Sequence, residues 1–326
     1  MRFFCKLIAA AAFFSAPLMG AAATCTSQAE MPSQDRDLIA GTALRLAAAT
    51  QQQDYGALQG DLLPSQASSW AGIQTAAQNA AGLLAGGQIK LRNLYLLDAS
   101  AQTAPADTQF FCTNQSGSLT VTITMRQLPP GRYAVVLADA EGSRLAGQLG
   151  LVLAWDQTAP GWKLAGLSAH QGEFDGHDGV WYWTRGRSLA QGDPWSAWFS
   201  YDAARYLLIP VDFLDSPNLQ KLNQEQDRIQ PSPHKDFPLN LLQGNRTWKV
   251  DGVYLDPLLH EADLAVVYES TGVTDPAAQR TEATSVLSAF LKAQPGLRAN
   301  FHGLWAVAAT NGKRTPVMEL PMSQIP

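Results

Sequence analysis

Charge is scarce in this chain: Asp, Glu, Lys and Arg together make up 16% of its 326 residues, where a quarter is usual for globular chains. A coiled coil or a charge-rich disordered chain is excluded on that ground. There is no run of basic residues, and the formal net charge is −5. An acidic chain without a basic stripe has no footprint for phosphate backbones, so nucleic acid is excluded as a partner. Beyond residue 19 no stretch is long and apolar enough to cross a bilayer. The chain also lacks a phosphate-cradling Gly-Lys-Ser/Thr loop and a dinucleotide fingerprint. What it does have is 46% apolar residues, 26 Gly, 19 Pro and nine Trp. That composition describes a turn-rich globular protein with material for a core, and no cofactor is expected.

Residues 1–23 read as a secretory leader. Arg2 and Lys6 open it, Leu7 to Met19 form its apolar stretch, and Ala21-Ala22-Ala23 offers small residues for cleavage. Removing it takes away Arg2 and Lys6, so the formal charge of the mature chain is −7. An uncleaved anchor is the alternative, and Cys25 raises a third reading, lipidation, although Thr24 stands where a lipobox carries Gly, Ala or Ser. The expected product is exported, periplasmic or secreted, with no transmembrane anchor after cleavage. Cysteine is almost absent: of three, Cys5 leaves with the leader, and Cys25 and Cys112 remain. An even count in an oxidising compartment predicts that they pair. Closing the loop between them contributes at most about 4 to 5 kcal/mol.

Thr24 to Ser33 is polar and expected to be loose. Asp35 to Gln53 and Ser69 to Leu84 carry helical stripes, the second stopped by Gly86-Gly87. From Gln88 the period changes to that of strands: Gln88 to Leu94, a hairpin of Gln109–Cys112 with Leu119–Met125, then Tyr133–Ala138, Leu149–Trp155 and Trp162–Leu167. Two helices followed by five or six antiparallel strands predict an α+β domain over residues 34–172. In element order this stretch resembles the NTF2-like (cystatin-like cone) fold, which implies a curved antiparallel sheet whose helices enclose a pocket. The fold hosts many unrelated functions and licenses none.

Residues 173–230 are predicted to be helical. Trp181, Tyr182, Trp183, Trp195, Trp198, Phe199, Tyr201 and Tyr206 crowd a short segment that Gly192-Asp193-Pro194 divides in two. Trp181, Gly192, Ala197, Tyr201 and Ala204 fall at the spacings of a single tetratricopeptide (TPR) hairpin, which the segment resembles. Thr184, Arg185 and Ser188 stand where that hairpin usually carries Leu, Gly and Tyr. No second copy follows, and a lone hairpin must bury its apolar face on a neighbour. Ser216-Pro217 starts one more helix. Pro231-Ser232-Pro233 reads as a linker, and residues 234–326 as a small ββαββ unit whose last hairpin turns at Asn311-Gly312. As a whole the chain resembles exported bacterial proteins of uncharacterised function that carry a His-Asp-Gly-x-Trp-Tyr-Trp stretch, here His177 to Trp183.

Chemistry is concentrated at Ala169 to Gly179. His170, Glu173, His177 and Asp178 are the candidate proton-transfer residues, and His170, Asp175 and His177 the candidate metal ligands. The competing reading has His177 and Asp178 capping the following helix. His260-Glu261-Ala262-Asp263-Leu264 begins like a zinc-protease helix but has Leu264 in place of its second His, and Gly166-Leu167-Ser168-Ala169-His170 lacks the second Gly of a nucleophile elbow. Tyr182, Arg185, Trp195 and Tyr206 are the candidate contacts for a ligand or partner, provided the rings are exposed. The expected function is therefore non-catalytic binding of a peptide, a protein partner or a small ligand in the cell envelope. The alternatives are an enzyme or metalloprotein sited near His170 to His177, and a structural component of an envelope complex.

Overall fold

The computed structural model describes residues 23–113, 117, 119–230, 237–256 and 261–326. It is an α+β protein built on two five-stranded sheets. The first contains β1 (Thr24–Ser27), which the polar composition of that segment did not foretell. Its backbone pairs antiparallel with the far end of β2, so polar side chains did not prevent strand formation at a sheet edge. Helices α1 (Ser33–Gln51), α2 (Tyr55–Gly60) and α3 (Trp70–Leu84) precede β2 (Gln88–Asp98).

After β2 the hairpin β3 (Ala106–Thr113) and β4 (Thr120–Leu128) forms as its alternation predicts, but it leaves the sheet. The sheet resumes with β5 (Arg132–Glu141), β6 (Gly147–Asp156) and β7 (Gly161–Gln171), in the antiparallel order β1-β2-β5-β6-β7. It is buried on both sides. Leu94, Leu96, Ala134, Val136, Leu151 and Leu153 face Ile39, Ala43 and Leu46 of α1 and Ala77 and Leu84 of α3. The intervening residues Tyr95, Leu97, Tyr133, Val135 and Leu137 face Phe110, Val121 and Ile123 of the hairpin. A two-sided sheet needs apolar residues at successive positions, which is why β2 stops alternating at Leu94 and runs Leu-Tyr-Leu-Leu. Cys25 and Cys112 form a disulfide that ties edge strand β1 to the hairpin folded over it.

Beyond β7 a two-residue pairing of β8 (Glu173–Phe174) with β9 (His177–Asp178) leads into the helical hairpin α4 (Gly179–Leu189) and α5 (Pro194–Leu208). Then β10 (Leu214–Asp215) joins the edge of β4, and α6 (Pro217–Asp227) begins on Ser216, whose Oγ accepts a hydrogen bond from the Leu219 N–H.

The C-terminal sheet has one strand more than expected before its helix. β11 (Leu239–Gln243), β12 (Arg246–Asp256) and β13 (Asp263–Glu269) precede α7 (Pro276–Ala293), and β14 (Gly303–Thr310) and β15 (Lys313–Pro321) follow, in sheet order β11-β12-β13-β14-β15. The short β11 lies close to the sequence taken as linker and carries too few residues to show a period. The crossover through α7 makes β13 and β14 parallel, with Asp263 opposite Gly303. The final turn is Asn311-Gly312, both at positive φ, as its sequence requires. Trp195, Phe199 and Tyr201 of α5 meet Val286, Leu287 and Phe290 of α7 on Leu264, Val266 and Tyr268 of β13 in one core. The neighbour that the helical hairpin needs is therefore the C-terminal sheet. No helix among the described residues is long and apolar enough to cross a membrane. The segments 231–236 and 257–260, with the expected linker and His260, lie outside the described residues.

Candidate functional site

A cleft of about 540 Å³ opens where the end of β7, the end of α5 and the strand β12 meet. Its wall carries His170 from β7, Asp202, Arg205 and Tyr206 from α5, Ile209 and Asp212 from the segment that follows, and Tyr254 and Leu255 from β12. Local packing fixes this arrangement. The segment after α5 crosses β6 so closely that a Cβ on Gly150 would lie 2.2 Å from Val211 Cγ1, so only glycine fits there. Gln148, opposite His170 across the β6–β7 ladder, donates from Nε2 to the Leu207 carbonyl at 3.0 Å. Phe174 stacks on Tyr206 at 5.5 Å, and His170 meets the same ring edge-on at 5.5 Å.

The cleft is amphipathic. Tyr254 is 40% exposed and presents a ring to solvent. Arg205 and Asp212 are exposed and form no salt bridge among the described residues. Burial holds the His170 imidazole below its ordinary value, against the pull of Asp212. Burial also lifts the Tyr206 hydroxyl, and Asp212 adds to the effect. At neutral pH the histidine is uncharged, and its Nδ1 is buried with no hydrogen-bond partner among the described residues.

Of the residues expected to carry chemistry, the cleft gathers His170 and Tyr206 only. Glu173 and His177 belong to the small β8–β9 pairing. Asp178 caps α4, its Oδ1 accepting from the Trp181 N–H at 2.8 Å, and His177 stacks flat on the Trp181 ring at 3.8 Å. Asp175 turns the other way and accepts from the Ala262 N–H at 3.3 Å. His170, Asp175 and His177 do not come together as a donor set for a metal.

Tyr182 and Trp195 line no open groove, because they are 2% and 4% exposed in the shared core. Large rings on a helix that packs on two sides are drawn inward by the area they bury. Arg185 is engaged by the Asn300 side-chain oxygen at 2.6 and 2.9 Å. Arg187 and the Trp183 indole N–H both donate to Glu225, which locks α6 onto the hairpin. Hydrogen bonds from Arg187 hold the Glu225 carboxyl below its usual range, and burial together with Glu225 pushes Tyr201 up to about 12. Ser168 lies inside β7 opposite Gly150, not on a strand-to-helix turn, so it is no nucleophile elbow. Leu264 likewise sits buried in β13, which excludes the zinc-protease helix.

A second concentration of titratable groups went unread in the sequence. Glu261, Asp263, His302 and Glu319 converge at the β13 and β14 starts and the β15 end. The His302 Nδ1 lies 2.8 Å from Glu261 Oε2, 3.0 Å from Asp263 Oδ1 and 3.9 Å from Glu319 Oε1. Burial lifts the Asp263 carboxyl and, with the charge of Asp263, that of Glu319. Burial pulls His302 down, but the hydrogen bond and charge of Asp263, together with the charges of Glu261 and Asp175, outweigh it and leave the imidazole above its ordinary value. The sequence held hints of it: Glu261 and Asp263 fall within the stretch that begins like a zinc-protease helix, Asp263 opens a mostly apolar strand, and His302-Gly303 opens another. No protein family, no curated protein and no solved structure matches this chain.

Proposed function

We propose that this is an exported binding protein whose ligand, a peptide segment or a small zwitterionic molecule of the cell envelope, seats in the cleft between β7, α5 and β12. The observation that carries the reading is the cleft's composition: tyrosine and aliphatic surface, the exposed cation of Arg205 and the exposed carboxylate of Asp212, in a volume of about 540 Å³. Ligand sites have volumes of roughly 300 to 1,000 Å³ and combine an apolar lining with a few convergent polar groups. Arg205 would take the anionic end of such a ligand, Asp212 the cationic end, and Tyr206 and Tyr254 its apolar body. The disulfide and the leader agree with an oxidising, extracytoplasmic address. On this reading residues 34–172 are an NTF2-like domain and α4–α5 a single TPR-like hairpin. The space between these helices and the sheet is filled by core residues, and the cleft opens on the other face of β7, on the side of α5.

The enzyme reading draws on His170, a neutral imidazole on the cleft wall. In a catalytic triad a second group orients the histidine's other ring nitrogen, and the His170 Nδ1 has no such partner among the described residues. Binding is favoured for that reason over catalysis, and over a purely structural role by the presence of a shaped cleft. Native mass spectrometry of the chain purified from an exporting host tests the proposal. A bound species of defined mass is expected, absent from the Arg205→Glu and Tyr254→Ala variants. A bare chain that takes up no member of a peptide library more tightly than those variants do would overturn it.

A further inference from the structure

We infer that Glu261, Asp263, His302 and Glu319 form a binding site for one divalent transition-metal ion of the zinc or manganese type. One donor atom from each lies within 4.8 Å of all the others, a set of three carboxylate oxygens and an imidazole nitrogen. Metal–oxygen and metal–nitrogen bonds of about 2.0 to 2.2 Å place neighbouring donors roughly 3 to 4.4 Å apart, and the separations of 2.8, 3.0 and 3.9 Å around His302 Nδ1 fall near that range. Oxygen donors with a single imidazole suit zinc or manganese better than a soft thiophilic ion.

Two further observations point to a ligand beyond the acidic cluster itself. Asp263 is wholly buried, and its Oδ2 has no hydrogen-bond partner among the described residues. A buried carboxylate oxygen left without a partner costs free energy that a cation would recover. Second, Gly303 holds the cradle open: a Cβ there would stand 2.9 Å from Asp263 Oδ1 and 3.2 Å from Glu319 Oε1. Among the described residues no Lys or Arg forms a salt bridge with any of the four, and the imidazole is the one cationic group paired with them there. Even a charged His302 balances only one of three carboxylates, and Asp175 adds a fourth negative charge nearby. The backbone that carries the imidazole is also pinned. His302 N–H donates to the Ala262 carbonyl at 3.0 Å, and Met322 N–H donates to the His302 carbonyl at 2.8 Å. Backbone fixation on both sides is what a preorganised metal site requires.

The test uses the whole exported chain, stripped with a chelator and titrated with Mn²⁺ while the free ion is followed by electron paramagnetic resonance. One equivalent is expected to bind, to show nitrogen coupling from an imidazole, and to be displaced by Zn²⁺. His302→Gln and Glu319→Gln are expected to weaken binding at least about tenfold, while His170→Gln on the cleft wall leaves it unchanged. A wild-type chain that binds no more Mn²⁺ or Zn²⁺ than a Glu261→Gln/Glu319→Gln double variant would overturn the inference. So would a bound Mn²⁺ without nitrogen coupling. Should the variants fail to fold, wild-type stoichiometry and the nitrogen signal decide. The outcome is independent of whether the cleft binds its ligand.

Discussion

His170 sets a pH response of defined sign. Burial keeps its imidazole below the ordinary 6.5, so the folded chain refuses a proton that the unfolded chain accepts. Between the two values the unfolded state binds more protons, and stability rises with pH. The contribution of the neutral ring is complete above pH 6.5 and is lost as the pH falls below it toward the folded value. His170→Gln keeps a polar side chain and removes the titration. Its urea midpoint is expected to fall less between pH 7 and pH 5 than that of the parent. Equal slopes in the two proteins would mean that other groups govern the acid limb. The same substitution leaves Arg205 and Tyr254 in place, so ligand uptake in the cleft should survive it if His170 serves the wall and not a reaction.

At the scale of the element, α4 offers a clean separation between structure and site. Asp178 stands at its N-cap and accepts the Trp181 N–H, a role in which Asp→Ala costs about 1 kcal/mol. Asp178→Ala should lower the unfolding free energy from urea titration by that amount and leave the cleft's bound species untouched. Loss of the ligand at unchanged stability would assign Asp178 a part in the site beyond capping. Caps of this kind were legible in the sequence. Asp193-Pro194, Ser216-Pro217 and Asp275-Pro276 each place a side chain that accepts from the third residue onward, and each starts a helix where the dipeptide says it should. Alternation likewise identified β3 and β4, since Phe110 and Cys112 point in while Phe111 and Thr113 point out. What alternation cannot encode is the surface on which the apolar side settles, and the hairpin lies over the first sheet instead of extending it. The acidic cluster was hidden for a related reason. Its members are spread from Glu261 to Glu319, and only the parallel pairing of β13 with β14 brings Asp263 beside His302.

For the whole molecule the question is where the cooperative units lie. Sequence punctuation suggests a break after α6, at Pro231-Ser232-Pro233, but the packing runs across it. Trp195 and Phe199 of α5 share their core with Phe290 and Phe301, and the Trp195 ring meets Phe290 at 5.6 Å and Phe237 at 6.0 Å. Arg185 reaches from α4 to Asn300 across the same junction. A chain ending at residue 230 would retain the first sheet, its helices and the disulfide, yet it would uncover the faces of α4 and α5 that the second sheet buries. Exposed rings of that size drive association or leave a loosely packed state. Residues 24–230 are therefore expected to bind a hydrophobic dye strongly and to lose the near-ultraviolet dichroism that Trp183, Trp195 and Trp198 contribute, while far-ultraviolet helix and strand signals persist. The opposite result, a monomeric fragment with the parent's tryptophan dichroism and no dye binding, would assign the helical hairpin to the first unit. It would also remove β12 from the set of elements needed to shape the cleft, because Tyr254 and Leu255 could then be deleted without disturbing α5. Both outcomes bear on function, since a cleft whose walls come from two sheets exists only while their shared helices hold them in register.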